Sequence, residues 1–174
     1  MFYLVIAYPK IEDKDLAWIQ EYRKENDLRF FSVVNPHITF VFPTQGISQE
    51  DFTNEIKKQA EDIKKIDFEI KLATINKDSF GGYYHEFLVP EKGYSDIVKL
   101  HDKLYSNKLS EHLRFDIDFI PHIGIGNSDD PHISKNRITS INAQNISILG
   151  TIDQLDIVEY DDGVIKTIEK ILLD

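Results

Sequence analysis

"NPHITFVFP", residues 35–43, decides the fold because the chain writes nearly the same thing twice. The second copy is "FIPHIGIGN", residues 119–127. Each centres on Pro-His-Ile: Pro36-His37-Ile38 first, Pro121-His122-Ile123 second, about half the chain apart. In a strand, alternate residues face the same way. Ile38, Phe40 and Phe42 therefore form one apolar face, with His37 and Thr39 on the other. In the second copy Phe119, Ile123 and Ile125 form the apolar set, with His122, Gly124 and Gly126 opposite. Each histidine stands on the face that the core does not claim. A duplicated unit, with two imidazole-bearing strands meeting across a shared cleft, accounts for both.

The flanking sequence fits such a duplication. Residues 2–8, "FYLVIAY", read as a buried strand, and 13–26 have helical spacing, with Leu16, Ile19 and either Tyr22 or Arg23 near one face. After Pro43, Ser48 is placed as a helix N-cap with Asp51 three residues on, and the helix runs to about Lys65. "DFEIKLATI" (67–75) and "YYHEFLVP" (83–90) read as strands around a turn at Asp78 to Gly82. A helix is expected from about Tyr94 to Leu113, on the period of Ile97, Leu100, Leu104 and Leu109. Asp130 and Pro131 start another helix. The C-terminal run from Gln154 reads as a hairpin, with Asp162-Gly163 suited to a primed turn. The order is β-α-β-α-β-β-α-β-α-β-β, an α+β chain in which each histidine strand is followed by a helix. No linker rich in proline, glycine or serine separates the halves. Residues 1–174 are expected to form two lobes of a single domain.

A 174-residue chain is long enough to bury a substantial core as one domain. Its 41% hydrophobic and 29% charged residues imply a soluble globular fold rather than disorder. No apolar run approaches the roughly 20 residues of a membrane helix. The apolar start "MFYLVIAYPK" lacks a signal peptide's basic start and cleavage site, so it reads as a strand. The absence of cysteine excludes disulfides, thiolate metal sites and cysteine nucleophiles, and is compatible with the cytoplasm. The net charge of −10 argues against holding a long duplex by phosphate neutralisation. A small anionic substrate or one RNA end remains compatible with it.

Pro-His-Ile occurs a third time, at Pro131-His132-Ile133, with Ser134 following. That copy lacks strand alternation and sits at a helix start, so His132 is read as a capping-region residue outside the cleft. His85 lies on a strand, where it can wall a pocket. His101 and His112, in or near a helix, read as solvated. Phe80, Tyr83 and Tyr84 suit a pocket wall or a core equally. Arg29, Lys77 and Arg114 suit phosphate contacts or a solvated surface.

Paired imidazoles suit the breaking of a phosphodiester. A base must deprotonate the attacking oxygen, and an acid must protonate the leaving one. Histidine titrates near neutrality, so one ring can start neutral and the other charged. A threonine hydroxyl two residues on can donate to a non-bridging phosphoryl oxygen. The sequence contains no HxH, no HExxH and no carboxylate cluster around these histidines, so neither a metal nor a cofactor is expected.

These strands, with "PHITF" early and "FIPHIGI" late, resemble the two-histidine phosphoesterase superfamily of 2'-5' RNA ligase-like and cyclic phosphodiesterase proteins. The resemblance covers nearly the whole chain: element order, half-chain spacing and closing hairpin. It implies a bilobal, pseudo-symmetric α+β fold with two antiparallel sheets around a central cleft. It also implies metal-independent chemistry on 2',3'-cyclic phosphates or 2'-5' linkages of nucleotides or RNA ends. By position, His37 and His122 become the catalytic pair, and Thr39 binds the substrate phosphate. Gly124 stands where the family has Thr or Ser; it can offer a backbone N–H or make room for a larger group. A non-catalytic module binding a phosphorylated nucleotide or RNA end in the same cleft is the alternative.

Overall fold

The two histidine strands become the outer edges of two different sheets. In this computed structural model of residues 1–174, the first sheet has the order β3 (Ile38–Thr44), β1 (Phe2–Ala7), β8 (Gln154–Asp161), β9 (Val164–Leu172). The second runs β2 (Lys10–Ile11), β7 (Ile148–Ile152), β4 (Ile66–Lys77), β5 (Tyr84–Lys92), β6 (Ile123–Ser128). All neighbouring strands are antiparallel. His37 stands one residue before β3, and His122 one residue before β6.

The helices are α1 (Asp13–Asn26), α2 (Gln49–Ala60), α3 (Tyr94–Leu104) and α4 (Pro131–Asn142). The duplication expected from the sequence takes an exchanged form. The first unit is β1-α1-β3-α2-β4; the second is β5-α3-β6-α4, then β7 and β8. In each, the first strand pairs with its own histidine strand, β1 with β3 and β5 with β6. On its other side it pairs with a strand that closes the opposite unit, β1 with β8 and β5 with β4. The first helices cross as well: α1 packs on β6, and α3 packs on β3. The two lobes therefore do not correspond to the two halves of the chain. One continuous cluster of buried side chains, including Phe40, Phe68, Leu88, Ile123 and Ile157, spans both sheets.

Local signals behave as their chemistry requires. The Ser48 hydroxyl accepts from the Asp51 N–H at 3.1 Å and donates to its carboxylate at 2.8 Å, opening α2. The Asp130 carboxylate accepts the His132 N–H at 2.8 Å, with Pro131 in the first turn of α4. Asp162 and Gly163 take positive φ and close the β8–β9 hairpin. Four elements differ from the sequence reading. Strands β2 and β7 are additional. Helix α2 stops at Ala60. The third helix stops at Leu104, and Asn107–His112 form a separate 3-10 turn.

His101 is buried rather than solvated, and His112 is half-buried. The reason is the open edge of β3. His101 Nδ1 lies 2.7 Å from the Phe40 carbonyl, and the Tyr105 hydroxyl accepts the Phe42 N–H at 2.9 Å. Side chains of the α3 segment thus satisfy backbone groups that an edge strand leaves unpaired. Gly126 is needed for close approach. A Cβ there would collide with the buried Glu86 carboxylate, which Tyr22, Ser134 and Arg137 hold in place. Gly126→Ala should lower stability by about 1–3 kcal/mol, read as a reduced denaturation midpoint.

Candidate active site

A histidine that follows X-Pro is turned by its own backbone. Proline confines the preceding residue to extended conformations, and the carbonyl two residues back comes within reach of the ring. His37 Nδ1 lies 2.8 Å from the Asn35 carbonyl, and His122 Nδ1 lies 2.5 Å from the Ile120 carbonyl. A carbonyl only accepts, so each Nδ1 carries the hydrogen and each Nε2 keeps its lone pair. The two copies of the motif thus set the same tautomer in both rings.

Both histidines line one cleft of about 670 Å³, together with Thr39 and Gly124. All four residues singled out in the sequence are gathered there. His132 is exposed on α4 and is not part of the cleft, and Ser134 is buried in a bond to Glu86. Thr39 is half-buried on β3. A Cβ built on Gly124 would meet no heavy atom within 4 Å, so the position is open space.

The cleft holds the two rings neutral. Burial pushes His37 down to about 4, assisted by the nearby Arg23 charge and opposed by the Asn35 carbonyl. Burial pushes His122 down to about 3, and charge on His37 or His85 lowers it further. The Phe87 ring stacks on His122 at 3.5 Å between centroids and covers one face of it. The edge of Tyr8 approaches His37 at 6.4 Å.

Behind the pair lies a buried ion pair. Arg23, 2% exposed, binds Asp27 through Nε at 3.0 Å and a terminal nitrogen at 2.9 Å. It also donates to the Val34 carbonyl at 2.8 Å. Asn127 of β6 donates to the same Asp27 at 2.6 Å. The network ties α1, the 28–34 loop and β6 together. Of Tyr22 and Arg23, left open by helical periodicity, Arg23 is the fully buried one, because Asp27 lies one turn on.

Arg29, Lys77 and Arg114 all line the cleft. Arg29 lies over the Tyr83 ring at 4.2 Å and binds Asp129 at 2.7 Å. Arg114 forms two bonds to Asp116, at 2.7 and 2.8 Å. Each of these arginines already has a carboxylate partner, and Asp27, Asp78 and Asp118 line the same opening. Sequence reasoning underrated one further pair. His85 on β5 lines the cleft, and its Nε2 lies 3.0 Å from Asp78 Oδ2. The other Asp78 oxygen accepts the N–H groups of Phe80 and Gly81. Burial opposes the ionisation of Asp78, but the Gly81, His85 and Phe80 bonds outweigh it and hold the carboxyl down to about 2. The alternation Tyr83, His85, Phe87 was the available signal: three ring side chains on the cleft face of one strand.

No group of three His, Cys, Asp or Glu side chains is arranged to hold a metal ion. No helix is long and apolar enough to cross a membrane.

Comparison with known proteins agrees with this architecture. Sequence comparison with curated proteins gives no match. Among solved structures, TT0787 of Thermus thermophilus superimposes with a TM-score of 0.62 at 14% identity, covering 99% of this chain and 98% of that one. E. coli LigT complexed with 3'-AMP gives 0.56 at 14% identity, covering 99% and 97%. Usb1 of Kluyveromyces marxianus gives 0.56 at 10% identity, covering 95% and 96%. At such identities these likenesses establish the fold. The sequence of residues 11–164 matches the 2'-5' RNA ligase superfamily, and with the match spanning most of its length the chain belongs to that family.

Proposed function

We infer that the protein is a phosphoesterase acting on 2',3'-cyclic phosphates or 2'-5'-linked nucleotides or RNA ends, with His37 and His122 as its acid–base pair. One observation carries the reading: two Pro-His-Ile corners, each fixing the same tautomer, line one cleft. A domain without such chemistry has no need for two matched imidazoles in one opening. The 3'-AMP bound by LigT lends the reading support from a structural neighbour.

In hydrolysis of a cyclic phosphate, the neutral imidazole takes a proton from water as the water oxygen bonds to phosphorus. The charged imidazole gives its proton to the departing ribose oxygen as the P–O bond breaks, leaving a phosphomonoester and a hydroxyl. With a ribose hydroxyl in place of water, the same two transfers make or break a 2'-5' linkage. Thr39 donates to a non-bridging oxygen where charge accumulates. Arg29, Lys77 and Arg114 line the opening and are the cations available to an anionic end.

The test is a panel of nucleoside 2',3'-cyclic phosphates and 2'-5' dinucleotides, assayed with EDTA present. Turnover that survives the chelator is expected; activity that disappears and returns with a divalent ion would refute the mechanism. The open space at Gly124 favours a second reading, a binding module for a phosphorylated nucleotide or RNA end. Tight binding across the panel with no turnover would select it.

The same space allows a sharper test. Gly124→Thr places a hydroxyl where nothing obstructs the Cβ. A hydrogen bond to a charged group contributes about 1.5–3 kcal/mol, so the variant should turn over its substrate at least roughly tenfold faster where that bond forms mainly in the transition state. A loss of binding instead would mean that the glycine makes room for a bulky group.

A further inference from the structure

The missing hydroxyl at position 124 leaves one side of the cleft without the phosphate donor that Thr39 offers on the other. We propose that His85 supplies that donor, so that a third imidazole takes over the phosphate contact that Gly124 cannot make. The inference rests on the functional reading above and adds a residue that the two-histidine motifs do not contain.

Sheet register brings His85 to the gap. Gly124 on β6 pairs with Phe87 on β5; His85, two residues from Phe87 on the same strand, pairs with Asn127, and a register shift between Glu86 and Phe87 separates the two pairs. Diagonal neighbours in antiparallel sheets lie about 7–8 Å apart, within reach of a ring side chain. A Cβ at Gly124 would meet no heavy atom within 4 Å, so the space beside it is open, while the Phe87 ring lies between His85 and His122. His85, His122 and Gly124 all line the same cleft, and charge on His85 is felt at His122.

The ring is held as a phosphate donor needs to be. Asp78 occupies Nε2 at 3.0 Å, and Nδ1 makes no hydrogen bond within the protein. Phe87 stacks on one side at 5.2 Å, and Phe30 lies nearly parallel at 6.1 Å. Tyr83 meets the ring edge-on at 4.9 Å. The charged or titratable groups around it are therefore Asp78 and Tyr83 from the β4–β5 turn, Arg29 across Tyr83, and His122 on the far side of the Phe87 ring. When protonated at Nδ1, His85 donates to a non-bridging phosphoryl oxygen, and the Asp78 carboxylate balances its charge.

Binding of 3'-AMP and of inorganic phosphate, measured by calorimetry, provides the test. His85→Phe keeps a ring for the stack and removes both nitrogens. It should weaken both probes roughly 10- to 150-fold, as loss of a charge-assisted bond does. Adding Gly124→Thr to His85→Phe should recover most of that loss, because the new hydroxyl fills the vacant role. In long-range proton–nitrogen spectra of the unmodified protein, the His85 Nδ1 resonance should move when phosphate is added. If His85→Phe binds both probes as tightly as the unmodified protein, the proposal is overturned and the paired-histidine reading stands. It is also overturned if affinity falls, Gly124→Thr restores nothing and the Nδ1 resonance stays still; His85 then only anchors the Asp78 turn. If the unmodified protein binds neither probe and turns over nothing in the panel, the functional reading itself fails, and this inference with it.

Discussion

Turnover falls by at least about 10²-fold in His37→Ala and in His122→Ala, the contribution expected of a general acid or base, while the fold is retained. Each ring makes one hydrogen bond, to the carbonyl two residues before it, and otherwise touches the cleft and one aromatic neighbour, Tyr8 beside His37 and Phe87 on His122. The core next to each is held by its neighbour in the chain, Ile38 or Ile123, both buried. Alanine therefore removes a proton carrier without opening the main apolar cluster. In the proposed mechanism the pair works as a unit, because neither proton transfer completes the reaction alone. The double variant should accordingly lose little more than the worse single variant, far short of the product of the two losses. Steady-state kcat/KM on the best substrate of the panel, with denaturation midpoints recorded alongside, checks both statements. If neither variant loses as much as tenfold, proton transfer by these rings does not limit the reaction, and the binding reading gains the ground that catalysis loses.

The site was legible in the sequence to the extent that local backbone chemistry wrote it. Pro-His-Ile within an alternating apolar run reads as a strand with its histidine off the core face, whereas the same tripeptide at 131–133, without that alternation, starts a helix. Repetition at half-chain spacing then implied a partner. What the sequence did not disclose depends on long-range neighbours. His101 reads as polar and therefore solvated, but it is buried because β3 is an edge strand with the Phe40 carbonyl to satisfy. Nothing in the sequence of α3 announces that edge. Strand β7, "ILGTI", is a five-residue run interrupted by glycine and carries little periodicity; pairing with β4 and β2 stabilises it. The exchange of helices and closing strands between units was equally hidden, since a linear order of elements does not say which sheet each one joins. The His85–Asp78 pair joins a strand to the turn before it. Its role depends on a space that only the β5–β6 register reveals.

Affinity for a phosphodiester rises about tenfold for each pH unit between pH 7 and pH 5. The sign follows from the state of the cleft. With His37 at about 4 and His122 at about 3, both rings are neutral at pH 7. An anion placed between them favours the charged form of whichever ring takes a proton, so binding is accompanied by proton uptake. Where the complex holds one more proton than the free protein, the binding constant increases tenfold per unit of acidification, the linkage equivalent of about 1.4 kcal/mol per unit. Charge on His37 lowers His122, so the first proton opposes a second. The bound pair then holds one charged and one neutral ring, the acid and the base that the chemistry requires. Stability runs the other way. Both rings lie below the ordinary value of about 6.5, so the unfolded chain takes up protons that the native state refuses. Native stability is therefore full above about pH 6.5 and declines as pH falls toward 4. A 3'-5'-linked deoxydinucleotide is the suitable probe, because its diester stays a monoanion across the range. Calorimetry at pH 5, 6 and 7, in buffers of different ionisation enthalpy, should give close to one proton taken up per complex. An affinity independent of pH, with no proton uptake, would mean that the phosphate does not sit against either imidazole.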